Sequence, residues 1–170
     1  GNPLFMDEMY TKLSILNFRK FVDKSSTEAQ TQSVFIRKYA LYLEEKVKSH
    51  KILSSEVRNL LDTKARPSSF QEIFDAINRL QSEFNALLNC KSCKEHINNA
   101  ITVNAFVLML GDIPQIYNAI KDLLGIPLEH CATLSREDAM KTLDIYILFM
   151  KETSAMSSFF VVAKQFCDVK

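Results

Sequence analysis

The sequence predicts an all-α protein, on three observations. The 170 residues hold only three glycines and four prolines, and no Asn-Gly or Asp-Gly pair offers a hairpin turn. Apolar residues recur at helical spacing along most of the chain, whereas the alternation of a half-buried strand is not found. Three Ser/Thr-x-x-Asp/Glu arrangements (Ser69 with Glu72, Ser92 with Glu95, Ser135 with Asp138) stand where helices would begin, because such a pair satisfies the first free backbone N–H groups of a helix.

The elements follow in order. Asn2 and Pro3 suit a helix start, asparagine as cap and proline at the first helical position, with Leu4, Phe5, Met9, Leu13 and Leu16 behind them. VDKSSTEAQ, residues 22–30, reads as a loop. The stretch QSVFIRKYALYLEEKVKSH, residues 32–50, carries a stripe through Ile36, Tyr39, Ala40, Leu43 and Val47, widened by Phe35 and Tyr42. So wide an apolar face predicts a central core helix, its charged residues a solvated rim. Val57, Leu60 and Leu61 form a short apolar piece before a polar connection. The cleanest stripe comes next: Phe70, Ile73, Phe74, Ile77, Leu80, Phe84, Leu87 and Leu88.

Residues 97–110 are apolar nearly all round, which predicts burial on several sides. The dense run from Ala100 to Leu110 is about half a membrane span. Proline inside a helix removes a hydrogen bond and costs about 3 kcal/mol, so a kink or break is expected at 111–114, with a second interruption at Gly125 and Pro127. Ile116, Tyr117, Ile120, Leu123 and Leu124 make another helix. Met140, Leu143, Ile147, Met150, Met156, Phe159, Phe160, Ala163 and Phe166 make the last segment. About six or seven helices of about two to six turns result. A bundle or a short irregular solenoid of antiparallel helices would bury their faces.

Several function classes are excluded on composition. A formal net charge of +1 does not suit a nucleic-acid partner, whose phosphates need a basic excess. Three scattered glycines cannot form a phosphate-cradling loop. Four cysteines in a chain of this length suit a reduced, cytosolic setting rather than a disulfide scaffold. Cys90-x-x-Cys93-x-x-His96 supplies three of the four ligands zinc wants, and only His130-Cys131 could complete the set. A loop that happens to hold two thiols explains the first group, and a packing cysteine beside a surface histidine explains the second. Adjacent helical residues point about 100° apart, so His130 and Cys131 do not form a nucleophile and base. No catalytic arrangement, metal or cofactor is expected. The basic run containing Lys46, Lys48 and Lys51 is a weak candidate for an anionic lipid face, diluted by Glu44 and Glu45.

FIRKYALYLEEKV, FNALLNC with NNAITVNAFVLMLGD, and TLDIYILFMKETSAMSSFFVVAKQF, together with the opening GNPLFMDEM and SILNFRKFVD, resemble in order the ANTH domain of CALM-like clathrin-assembly adaptors, plant-type members among them. The resemblance covers essentially the whole chain as one helical domain, 1–170. It implies an irregular α-solenoid related to the ENTH and VHS superhelices, of which this chain would be the C-terminal part, without the N-terminal helices. It implies a non-enzymatic role in clathrin-mediated endocytosis, peripheral at the plasma membrane, in coated pits and vesicles and at the Golgi. Phosphatidylinositol 4,5-bisphosphate would be bound through N-terminal residues that have no counterpart here, and clathrin through a tail that has none either. Some relatives bind a helical R-SNARE of the VAMP type between late helices. The resemblance places Leu128 and Thr153 at positions of that groove, Leu128 keeping its apolar character and Thr153 departing from a methionine-like residue. The alternative is a phosphoinositide-binding helical module with no direct cargo. Loss of N-terminal helices would leave an apolar strip uncovered, so self-association is also expected.

Overall fold

The structure, a computed structural model, describes residues 3–62, 70–90 and 99–167, side chains to 164. Among the described residues there are α-helices and helical turns and no strand. Helix α1 is Pro3–Thr11, followed by a 3-10 turn at Leu13–Leu16. Helix α2, Thr27–Lys51, runs through a π turn at Ile52–Glu56 into the short α3, Val57–Asp62. Helices α4 (Gln71–Asn89), α5 (Ala100–Glu129) and α6 (Arg136–Cys167) complete the chain.

Side-chain pairs fix the helix directions. Ser49 of α2 meets Glu83 of α4, and α2 residues near its C-terminus share a cavity with Ala76 and Arg79. Residue 38, at the middle of α2, faces Cys90. Thus α2 runs antiparallel to α4. Phe70 meets His130 and Phe84 meets Tyr117, which sets α5 antiparallel to α4. The stacked pairs Phe106–Phe159 and Tyr117–Phe149 set α6 antiparallel to α5. Successive long helices therefore alternate, as an α-solenoid requires, and α4 sits among α2, α5 and α6.

That central place explains the burial of α4. Every member of its predicted stripe is buried except Phe70, which is half-buried. Capping is legible too. The Ser135 hydroxyl accepts from the Asp138 N–H at 3.1 Å and donates to the Asp138 carboxylate at 2.8 Å, closing the start of α6. Asn99 begins α5, its Oδ1 accepting from the N–H groups of Ile101 and Thr102, each at 3.0 Å. Asn2, Ser69, Ser92 and Glu95 lie outside the described residues.

Four expectations are corrected. The loop at 22–30 ends early, because Ser26 caps α2: its hydroxyl accepts from the Ala29 N–H at 3.0 Å. A Ser26→Ala variant should lose about 1 kcal/mol, read as a lower urea midpoint. The break at 111–114 is absent, and α5 continues through both Pro114 and Pro127. Pro114 lies on the exposed side of α5, where water can satisfy the carbonyl that loses its N–H partner, while Ile113 and Ile116 pack into the core. At 30 and 32 residues, α5 and α6 also exceed the expected six turns. The start of α5 is not buried on several sides, since Ile101 is 81% exposed and Leu108 63%.

Continuity makes α5 and α6 long and apolar enough, by length and composition, to cross a membrane. Their inward faces are used otherwise. Phe106, Met109, Ile113, Ile116 and Ile120 of α5 and Ile145, Phe149 and Phe159 of α6 belong to the same core as α4.

The predicted centre of α2 is displaced as well. Phe35, Ala40, Tyr42 and Val47 are buried, but Ile36, Tyr39 and Leu43 only half so. Phe35, Tyr42 and Ser49 recur every seven residues, and this line is the one that enters the core.

Candidate functional site

Two surfaces bear on function: an apolar strip on the last helix and a charged junction around α2. At 100° per residue, the buried residues of α6 (Thr142, Ile145, Phe149, Glu152, Phe159 and Ala163) form one face. Leu143, Ile147, Met150 and Val161 fall on a second line, beside Tyr146, and all five are exposed. Tertiary packing covers the first line and leaves the second to solvent.

Leu128, near the C-terminus of α5, is 42% exposed. Thr153 is half-buried on the flank of the α6 strip, and its hydroxyl donates back to the Phe149 carbonyl at 2.8 Å. Its polar atom is thus satisfied within the helix. The α5–α6 register set by Tyr117–Phe149 and Phe106–Phe159 puts Leu128 level with the first turn of α6. Thr153 is then some four turns further along, about 22 Å at the rise of an α-helix. The two positions do not meet.

The lysines of the basic run all have carboxylate partners. Lys46 and the Tyr42 hydroxyl both donate to Asp112 Oδ2, tying α2 to α5, and the Lys46 ammonium stands 5.7 Å from the centre of the Tyr42 ring. Lys48 reaches Glu44 and Glu45, each at 2.8 Å. Burial works against its ammonium, but the two carboxylates hold its pKa above the ordinary value. The same bond to Lys48 lowers the pKa of Glu44. Lys51 stands 3.7 Å from Asp7. The charges expected as a solvated rim are therefore largely engaged, half-buried for Lys46 and Lys48.

The cysteine and histidine positions are partly described. Cys90 is buried, its thiol donating to the Ala86 carbonyl at 3.4 Å, and burial pushes its pKa up to about 12. Such a thiol resists the deprotonation that metal binding requires. Cys93 and His96 lie outside the described residues. The expected roles at 130–131 are exchanged: Cys131 is exposed, whereas His130 is half-buried, Nδ1 2.9 Å from the Ile126 carbonyl oxygen, its ring edge-on to Phe70.

Sequence reading passed over Gln81, Glu83 and Glu152, all buried. Gln81 Nε2 donates to Glu152 Oε2 at 3.2 Å, joining α4 to α6. A signal for Gln81 was available, since at 100° per residue it lies within the arc from Phe74 through Ile77 and Leu80 to Leu87, whereas Glu83 falls about 40° beyond that arc.

An alternating stack of long helices, with exposed apolar residues from Leu143 to Met150 on its last member, defines a helical solenoid module. The family model for the ANTH domain matches residues 1–168, and the chain belongs to that family. It is similar to the phosphatidylinositol-binding clathrin assembly protein of Homo sapiens (26% identical; 97% of this chain, 26% of the relative). It is also similar to clathrin coat assembly protein AP180 of Homo sapiens (26% identical; 97% and 18%) and to a putative clathrin assembly protein of Arabidopsis thaliana (26% identical; 96% and 30%). The chain thus spans between 18% and 30% of the length of these curated relatives.

Proposed function

We propose that the chain is part of an endocytic clathrin adaptor, a non-enzymatic protein of coated pits and vesicles, and that its last helices bind a helical cargo of the R-SNARE (VAMP) type. The family membership and the clathrin-assembly relatives support the adaptor role. Binding of clathrin and of a phosphoinositide membrane is proposed for the whole protein. Lys46 and Lys48, already held by carboxylates, offer little free charge for a headgroup, whereas Lys51 is exposed, 3.7 Å from the exposed Asp7.

The observation that carries the cargo reading is the exposed strip Leu143, Tyr146, Ile147 and Met150, and Leu128 and Thr153 are proposed as further contacts. A helical partner with apolar residues at i, i+3, i+4 and i+7 would lay them along it. Calorimetric titration with an R-SNARE motif peptide should show binding, and Ile147→Asp together with Met150→Asp should weaken it at least about tenfold, the cost of burying unpaired charge. No heat with wild-type chain, against a relative that does bind the peptide, would refute the cargo reading and leave the adaptor role standing.

A further inference from the structure

The junction of α2, α4 and α5 holds a carboxyl group that the adaptor role does not use. Glu83 of α4 is 0% exposed, and its Oε1 has no hydrogen-bond partner. Its Oε2 is bonded to the Ser49 hydroxyl of α2. That hydroxyl lies 3.0 Å from the Glu45 carbonyl and 3.3 Å from the Lys46 carbonyl, the usual back-bond of a helical serine. A hydroxyl has one hydrogen to give. If Ser49 gives it to its own helix, the bond to Glu83 needs a hydrogen from the glutamate.

The charges around Glu83 favour the same assignment. From α2 it is faced by Tyr42, Glu45, Lys46 and His50, and from α5 by Asp112. Lys46, the ammonium of this group, is committed to Asp112, and Glu45 to Lys48. An ionised Glu83 would hold an unpaired charge in a site without solvent exposure, beside a second carboxylate. Burial pushes its carboxyl up to about 7, Ser49 and Lys46 opposing and Asp112 and Glu45 assisting. A cavity of about 290 Å³ lined by Lys46, His50, Glu83, Asp112 and Gln115 adjoins the group and gives its proton a route to water.

We propose that Glu83 is a proton-dependent clasp: as the neutral acid it donates to Ser49 and holds α2 against α4, and its ionisation loosens that junction. The clasp is strongest in acid and weakens as pH rises. The unfolded chain ionises Glu83 near the ordinary glutamate value, while the folded chain keeps it protonated to about 7. Over that window the unfolded state binds one proton fewer, so the folded-to-unfolded ratio falls about tenfold per pH unit.

Glu152 is a second buried glutamate, likewise pushed up to about 7, so the test starts from a Glu152→Gln chain. Urea unfolding from pH 5 to 8 should show the ratio falling as pH approaches 7. Adding Glu83→Gln, whose amide can still donate to Ser49, should remove about one proton from that slope. An unchanged slope overturns the proposal. Should the double variant not fold, carbon-13 carboxyl shifts of the Glu152→Gln chain decide: a glutamate titrating near 7 supports the clasp, and the absence of one overturns it. Hydrogen exchange should quicken in α2 between pH 6 and 8, beyond its intrinsic pH dependence, in the Glu152→Gln chain and not with Glu83→Gln added.

Discussion

A Phe84→Ala variant should lose about 3–5 kcal/mol of folding stability. Phe84 is fully buried in α4 and set against Tyr117 of α5, ring centres 6.5 Å apart. Truncation removes the transfer free energy of the ring and leaves a cavity among Leu80, Leu87 and Leu88, side chains of a helix hemmed by three others and unable to collapse inward. Domains of this size have about 5–15 kcal/mol in total, so the variant should be partly unfolded at physiological temperature. Urea denaturation followed by circular dichroism would report it as a drop in midpoint at unchanged m. Phe160→Ala, at a side chain 38% exposed on α6, is the control and should cost no more than about 1 kcal/mol. A loss below about 2 kcal/mol for Phe84→Ala would contradict the central place of α4.

That place was legible because the α4 stripe obeys one period without interruption. The core residues of α4 and the family followed from the residues themselves. The α5 helix was misread at Pro114 because a local penalty of about 3 kcal/mol is set against packing by Phe106, Met109, Ile113, Ile116 and Ile120, which sequence order does not display. The outward face of α5 was misread for a related reason. Apolar composition does not say how many neighbours a helix has, and Ile101 and Leu108 have few. The strip on α6 was half visible: Leu143, Ile147 and Met150 were read as core because they keep helical spacing, but the parallel line through Ile145, Phe149 and Glu152 is the one that turns inward. Two lines of apolar residues on one helix give two candidate faces, and only the register with α5 chooses between them. Glu83 and Glu152 escaped because charged residues are rarely buried without a partner. Their burial becomes readable only when the neighbouring α2 and α6 are in place.

Asp112→Ala should be the other costly change, at about 2–3 kcal/mol. The Asp112 carboxylate accepts from both Lys46 and Tyr42, and it is the polar tie between α2 and α5. Without it the half-buried Lys46 ammonium and the hydroxyl of the buried Tyr42 lose the acceptor they share. Breaking a fully buried pair costs about 3–5 kcal/mol. Here the side chains keep 33% and 20% of their exposure, so solvent screening lowers the figure. Asp112→Asn should cost less, because the amide oxygen still accepts. A double-mutant cycle with Lys46→Met should recover part of the loss, since the orphaned ammonium goes with it; a purely additive cycle would show that the two groups act independently. The same geometry governs any test of the basic run as a lipid face. Lys46→Glu would set a third acidic group beside Asp112 and Glu83, and it should lower the melting temperature more than Asp112→Ala does. A loss of vesicle binding in that variant would report unfolding. Lys51→Glu, whose partner Asp7 is exposed on α1, and Lys48→Glu, whose partners Glu44 and Glu45 lie on its own helix, perturb the fold less and separate lipid contact from stability.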